Sequence, residues 1–324
     1  MAKHDPIERA LQQLSALKSA AADAGLLEEL RVFLRHRSNL VVAKAAKIAG
    51  QRRLAELTPA LVAAFHKLMA DAPRLDKRCA ALTEIVTALY ELDYREQDVY
   101  RAGLRHVQRE ASFGPPVDAA AHLRGLCAMG LVRTNYRDAL ADVVALLVDP
   151  EPPARIGAVR ALATNGGDGG ALTLRLKVLT GDSEPDVLGE CFAGLLAVPS
   201  ESAIAFVAPY VDAEDAAIAE AAILAFGAVR SAQAIHVLKE KWERTPRGPL
   251  KKVLLLALST SRNEDALNFL LGLLESAPAS TAAEVLSALS SQRPSDSIRA
   301  AIRASLTHRG DASLLETFLR APSS

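Results

Sequence analysis

The chain has 324 residues, half of them hydrophobic and only 4% aromatic, with 38 basic and 38 acidic side chains. Zero formal net charge argues against a general polyanion binder, and three cysteines make no disulfide framework. No run approaches the roughly 18 uninterrupted apolar residues of a membrane span, and the start MAKHDPIERALQQL lacks an apolar signal core, which points to a reducing cytoplasm.

In chain order, Asp5-Pro6 opens a helix carrying Ile7, Leu11, Leu14 and Leu17. Gly25 breaks it, and Leu26 to Leu34 form a second helix. From Ser38 comes VVAKAAKIAG, then QRRLAELTP as a turn, then a helix from Ala60 to Met69. Asp76 to Glu91 and Gln97 to Val107 make the next pair, and Phe113-Gly114-Pro115-Pro116 is a break. Asp149-Pro150-Glu151-Pro152-Pro153 then starts a further helix, where proline and acids suit the first turn.

That helix carries Ile156, Val159, Leu162 and Ala163 at helical spacing. Asn165-Gly166-Gly167-Asp168-Gly169-Gly170 reads as a capped turn, since each glycine costs a helix about 1 kcal/mol relative to alanine. Leu172, Leu176 and Leu179 restart the apolar stripe in a second helix. One such hairpin lacks the apolar area to offset chain entropy, so it must stack on copies of itself.

The copies are visible downstream. Leu140, Leu172, Ile204, Ile235, Leu267 and Ile298 recur at steps of 32, 32, 31, 32 and 31 residues in the second helices. Cys127, Val159, Cys191, Ala222, Leu254 and Val285 form a parallel column in the first helices. Leu147, Leu179, Val211, Trp242 and Leu274 form a third, and all three predict buried positions. The last pair is Ser280 to Leu289 and Ser297 to Leu306, joined by Arg293-Pro294-Ser295-Asp296. Ala312 to Leu319 is a short closing helix, and the Pro322-Ser323-Ser324 end should fray.

Asp149-Pro150, Arg155, Ala158, Ala161-Leu162, Gly166, Ala171-Leu172 and Leu179 resemble the consensus of HEAT repeats, particularly the short bacterial kind. Ser183-Glu184-Pro185-Asp186-Val187 opens the next unit in similar style, though with Val187 where the family often has arginine. The resemblance covers residues 117 to 310 closely and 38 to 107 loosely. It implies an all-α, right-handed α-solenoid of about eight to nine antiparallel helix pairs, with the second helices on the concave side. The expected organisation is one solenoid over 1–324: cap helices at 1–37, repeats at 38–310, and a cap and tail at 311–324. Such repeats specify architecture well and function hardly at all.

Chemistry-bearing residues are sparse. Cys127 and Cys191 share a core column with Val159, and Cys79 lies beside apolar positions, so all three read as small core residues. Histidines 4, 36, 66, 106, 122, 236 and 308 show no metal-ligand spacing, and no cofactor or metal site is expected. Trp242, in the column of Val211 and Leu274, reads as a core plug. The glycine run is no phosphate loop, because no strand precedes it and no Gly-Lys-Ser/Thr follows.

Charge is segregated. From Leu30 to Ala55 the charged residues are Arg31, Arg35, Arg37, Lys44, Lys47, Arg52 and Arg53, without one acid. From Val178 to Val229 there is no lysine or arginine, and the acids there lack compensating bases. The leading expectation is a non-catalytic protein-interaction scaffold with a charged protein partner. Its best-guess contacts are Arg101, Arg105, Arg175, Lys239 and Asn268 on the second helices. The alternatives are nucleic-acid binding through the basic first third and a role like that of the HEAT-repeat bilin lyases.

Overall fold

The computed structural model describes residues 6–19, 23–134, 136–164, 167–198 and 200–320. Asp5, His4, Asn165, Gly166 and the 321–324 tail, all invoked above, lie outside these. By their contacts the residues divide into two compact units, Met1–Thr173 and Leu174–Ser324.

The first unit begins with α1 (Pro6–Leu17), α2 (Ala24–Leu34), α3 (Asn39–Gln51) and α4 (Thr58–Met69). A single-turn α5 (Ala72–Leu75) precedes α6 (Ala80–Glu91) and α7 (Gln97–Leu104). Two-residue strands β1 (Arg109–Glu110) and β2 (Val117–Asp118) follow, then α8 (Ala121–Leu131), α9 (Ala139–Val144) and α10 (Pro152–Thr164). Helix α11 (Gly167–Thr180) runs across the division between units.

The second unit continues with α12 (Pro185–Leu196), α13 (Glu201–Val207), α14 (Ala216–Gly227) and α15 (Ala232–Arg244). It closes with α16 (Pro249–Thr260), α17 (Glu264–Ser276), α18 (Ala279–Ser291), α19 (Asp296–Arg309) and α20 (Ala312–Arg320). These are nine successive helix pairs and a closing helix among the described residues, an all-α solenoid. Local chemistry sets the ends: Asp23, Ser200, Asp215, Asn263 and Ser295 each accept a backbone N–H in the first turn that follows.

Each unit is two helix layers with the core between them. In the first, α1, α3, α6, α8 and α10 pack in succession, and α2, α4 and α7 lie over them. In the second, α12, α14, α16, α18 and α20 form one layer, while α15, α17 and α19 contribute to the other. The first-helix column holds without exception: Cys127, Val159, Cys191, Ala222, Leu254 and Val285 are all fully buried. Within each unit the successive first helices pack on one another, which turns these positions inward.

The second-helix columns hold except in α11. Ile204, Ile235, Leu147, Val211, Trp242 and Leu274 are buried, and Leu140, Leu267 and Ile298 are half-buried. In α11, however, Leu172, Leu176 and Leu179 are exposed at 66%, 61% and 68%, while Leu174 and Val178 are buried. The expected stripe therefore faces the wrong way, and the cause is the glycine run. Gly167 to Gly170 form the first turn of α11 rather than a loop. A Cβ on Gly170 would sit 2.6 Å from the Leu162 carbonyl oxygen, so only glycine allows this approach to α10. Gly170 thus faces inward, and Leu174 and Val178 follow it at four-residue steps on the same face. Leu172 lies two residues, about 200°, away from that face. Truncating Leu174 to alanine should cost about 2–5 kcal/mol in urea unfolding, whereas Leu176→Ala should stay within about 0.5 kcal/mol. The reverse ranking would restore the stripe read from the sequence.

The break at Phe113-Gly114-Pro115-Pro116 is the tip of a hairpin, Arg109 pairing with Asp118 and Glu110 with Val117. What holds this insertion is a buried polar network. Arg124 on α8 donates to Asp149 through Nε (2.8 Å) and Nη2 (2.9 Å), and through Nη1 to Asp118 (2.7 Å) and the His106 carbonyl (2.9 Å). Asp76, fully buried, accepts from the Ala81 and Leu82 N–H groups and from Asn39. Gln108 Nε2 donates to the Asp76 carbonyl, tying hairpin to helix start. Burial pushes the Asp118 carboxyl up, but N–H groups of Ala120 and Gln108 and the Arg124 guanidinium outweigh it and hold it below the ordinary carboxylate value. Asp76 to Glu91, read as one helix, is broken by left-handed Arg78 and Cys79 where this network attaches.

Candidate partner-binding face

Arg101, Arg175, Lys239 and Asn268, singled out from the sequence, lie on second helices, and the structure gives these three cations an aromatic companion. Arg101 on α7 lies 4.6 Å over the ring of Tyr136, just before α9. Arg175 on α11 lies 4.9 Å over Phe206 on α13 and donates to Ser202 Oγ at 2.8 Å. Lys239 on α15 lies 5.5 Å over Phe269 on α17. Each aromatic stands about one repeat downstream of its cation, so the cation of one second helix covers the aromatic of the next. Such stacking holds a charge in place without neutralising it. The aromatics were missed in the sequence, although their 30- to 35-residue spacing from the cations was there to be seen.

Arg105, just past α7, joins Arg101 at Asp142, with N···O distances of 3.5 and 3.6 Å. Both separations exceed a good hydrogen bond, and Arg101 Nε and Asp142 Oδ2 have no hydrogen-bond partner. Two guanidiniums thus share one carboxylate, and Arg105 is 64% exposed. Asn268 is exposed on α17, beside Phe269. Arg101 and Arg105 belong to the first unit, and Arg175, Lys239 and Asn268 to the second. Trp242 is buried as expected, edge-on to Phe269 with Lys251 over its face.

The charge zones look different once folded. In the basic stretch Arg31 pairs with Glu28 within α2 and Lys47 with Glu84, while Lys44 and Arg52 donate to the Leu11 and Leu17 carbonyls of α1. Three of its seven basic residues, Lys44, Lys47 and Arg52, are therefore occupied in tying α3 to α1 and α6. Two of the acids of 178–229 do have bases: Lys177 pairs with Asp182 at 2.7 Å, and Lys241 and Arg244 both reach Asp212, at 2.7 and 3.2 Å. For these two the compensating charge comes from outside the stretch. The hydrogen bond from Lys241 and the charges of both cations outweigh burial, which pushes up, and hold the Asp212 carboxyl below its ordinary value.

The cysteines are all buried and free. Burial pushes the Cys79 and Cys191 thiols up to about 12, and the Cys127 thiol higher still, so none is a nucleophile at neutral pH. His66 pairs with Asp98 and His236 with Glu240, all of them exposed. Among the described residues no cluster of His, Cys, Asp or Glu is placed to hold a metal, and no helix is long and apolar enough to cross a membrane.

No family model matches the chain, and neither does any curated protein. Similar solved structures include human deoxyhypusine hydroxylase in complex with glycerol, at 18% identity over 79% of this chain and 91% of that one, with a TM-score of 0.32. An engineered protein matches at 17% identity over 99% and 95%, with a TM-score of 0.36. The complex of CpcE and CpcF of phycocyanin lyase from Nostoc sp. PCC7120 matches at 18% over 84% and 98%, with a TM-score of 0.36. Two of the three are named as enzymes, a hydroxylase and a lyase. The expectation of a non-catalytic chain is corrected accordingly and withdrawn.

Proposed function

We propose that the chain binds a protein partner along its second-helix face, with the α11 leucines as the apolar anchor. Arg175, Lys239 and Asn268 would be its polar contacts, and Arg101 and Arg105, in the other unit, a separate polar patch. The observation that carries this reading is the stripe of Leu172, Leu176 and Leu179, each more than 60% exposed. Burying a leucine stabilises by about 1.5–3 kcal/mol, which the isolated fold forgoes three times along one helix. Arg175 stands within the stripe, tied to Ser202 and Phe206, so an acidic group beside an apolar one is the complementary chemistry. The proposal concerns binding and is silent on any reaction performed on what is bound.

A photo-reactive residue at position 176 should yield a discrete adduct that Arg175→Glu diminishes. The same probe at Leu256, an exposed leucine of the first-helix layer, should not. Equal adducts at both positions, or none at 176, would overturn the assignment. The bilin-lyase alternative has its own check: adding a bilin changes absorbance or fluorescence if it holds, and an unchanged spectrum ends it.

A further inference from the structure

The second unit holds a cavity of about 500 Å³ between the α16–α17 turn and the α18–α19 turn. Its floor is apolar: Leu258, Leu270 and Leu289 are buried there, and Leu267 and Ile298 are half-buried. Arg262 and Arg293 line it as well. Both are exposed, and among the described residues neither has a side-chain hydrogen bond or ion pair. Glu264 is the one acid in the lining, leaving an excess of one positive charge. Asn263 and Ser295, the caps of α17 and α19, also line it, so the positive ends of two helix dipoles border the space.

The backbone adds an independent observation. Arg262 and Arg293 hold φ of 50° and 49°, the left-handed region that disfavours side chains. Glycine fills the comparable position after α19, where Gly310 has φ 74°. Arginine at both turns thus stands against the preference of the backbone. Arg53 and Asp93 occupy the same turn position after α3 and α6, but there the successive charges are opposite. In the first unit Arg31 and Arg35 also line one cavity, but there Arg31 is paired with Glu28.

We propose that this cavity binds a small aliphatic carboxylate, its head group held by Arg262 and Arg293 and its chain lying on Leu258, Leu267, Leu289 and Ile298. The volume suits a small ligand, and a mostly apolar lining with few polar groups is the usual make-up of such sites. Guanidinium matches carboxylate in a two-point fork, and one excess charge suits a monoanion better than a phosphate dianion. The inference does not rest on partner binding at α11.

The test is calorimetric titration of the full chain with octanoate. Saturable binding is expected, strengthening about fourfold per methylene from butanoate to octanoate. Arg262→Gln and Arg293→Gln should each weaken octanoate about tenfold. Arg262→Gly and Arg293→Gly should do the same while relieving the backbone, so loss of binding cannot be put down to loss of fold. Octylamine should not bind, and octyl phosphate should bind no tighter than octanoate. No heat with millimolar octanoate, equal binding of octylamine, tighter binding of octyl phosphate, or indifference to all four substitutions would each overturn it.

Discussion

Replacing Arg124 with alanine should destabilise the first unit by about 3–5 kcal/mol in urea unfolding. The side chain is 3% exposed and satisfies Asp118, Asp149 and the His106 carbonyl at once. Removal leaves two carboxylates buried without a counter-charge, and that orphaning dominates the cost. Arg124→Lys keeps the charge but loses the fork to Asp149, so it should recover only part of the loss. The pH dependence has a definite sign. Asp118 is held below its ordinary value in the folded chain. Its contribution is therefore complete above the unfolded-state value of about 3.9, and is lost as pH falls through the folded one. In Arg124→Ala the deficit relative to wild type should shrink in acid, where the orphaned carboxylates take up protons. A loss under about 1 kcal/mol at neutral pH would mean that the network is solvated and not structural.

Gly157→Ala should destabilise by about 2–3 kcal/mol, opposite in sign to what a helix interior normally gives. Alanine is the better helix former by about 1 kcal/mol. Here α8 and α10 cross at Gly125 and Gly157. A Cβ on Gly125 would meet the Pro153 carbonyl oxygen at 2.8 Å and Gly157 Cα at 3.2 Å. One on Gly157 would collide with the Gly125 backbone itself. Backbone cannot rotate aside, so the helices must separate and give up packing around Val159 and Cys127. Gly272 in α17 is the internal control, because nothing lies within 4 Å of its added Cβ. Gly272→Ala should stabilise by about 0.5–1 kcal/mol. The pair of variants, compared by thermal or urea unfolding, separates close approach from propensity. Two stabilising substitutions would show that the crossing is looser than drawn.

The sequence by itself determined the solenoid and its first-helix layer. A period of 31–32 residues brings Val159 and its counterparts to one face of their helices, and that face is the buried one. It also determined that Cys127, Cys191 and Trp242 are core, because they share columns with aliphatic residues, and that Cys79 is, because apolar positions flank it. Even the α8–α10 crossing left a trace, since Gly125, Gly157 and Gly189 recur at the repeat period.

What the sequence could not settle were rotations and pairings whose deciding partner lies outside the local pattern. Leucines at helical spacing in α11 fit an inward or an outward face equally well. The approach of Gly170 to the Leu162 carbonyl chose outward, and so turned a predicted core stripe into the candidate anchor. Asp149 reads as a helix-start acid, yet its main partner is Arg124 on the preceding helix. Asp212 looks uncompensated until Lys241 and Arg244 arrive from the next second helix. The cavity at Arg262 and Arg293 exists only once two turns a repeat apart are set together. Periodicity fixes which residues can face a neighbour. Packing, charge and close backbone contact between successive repeats decide which of them do.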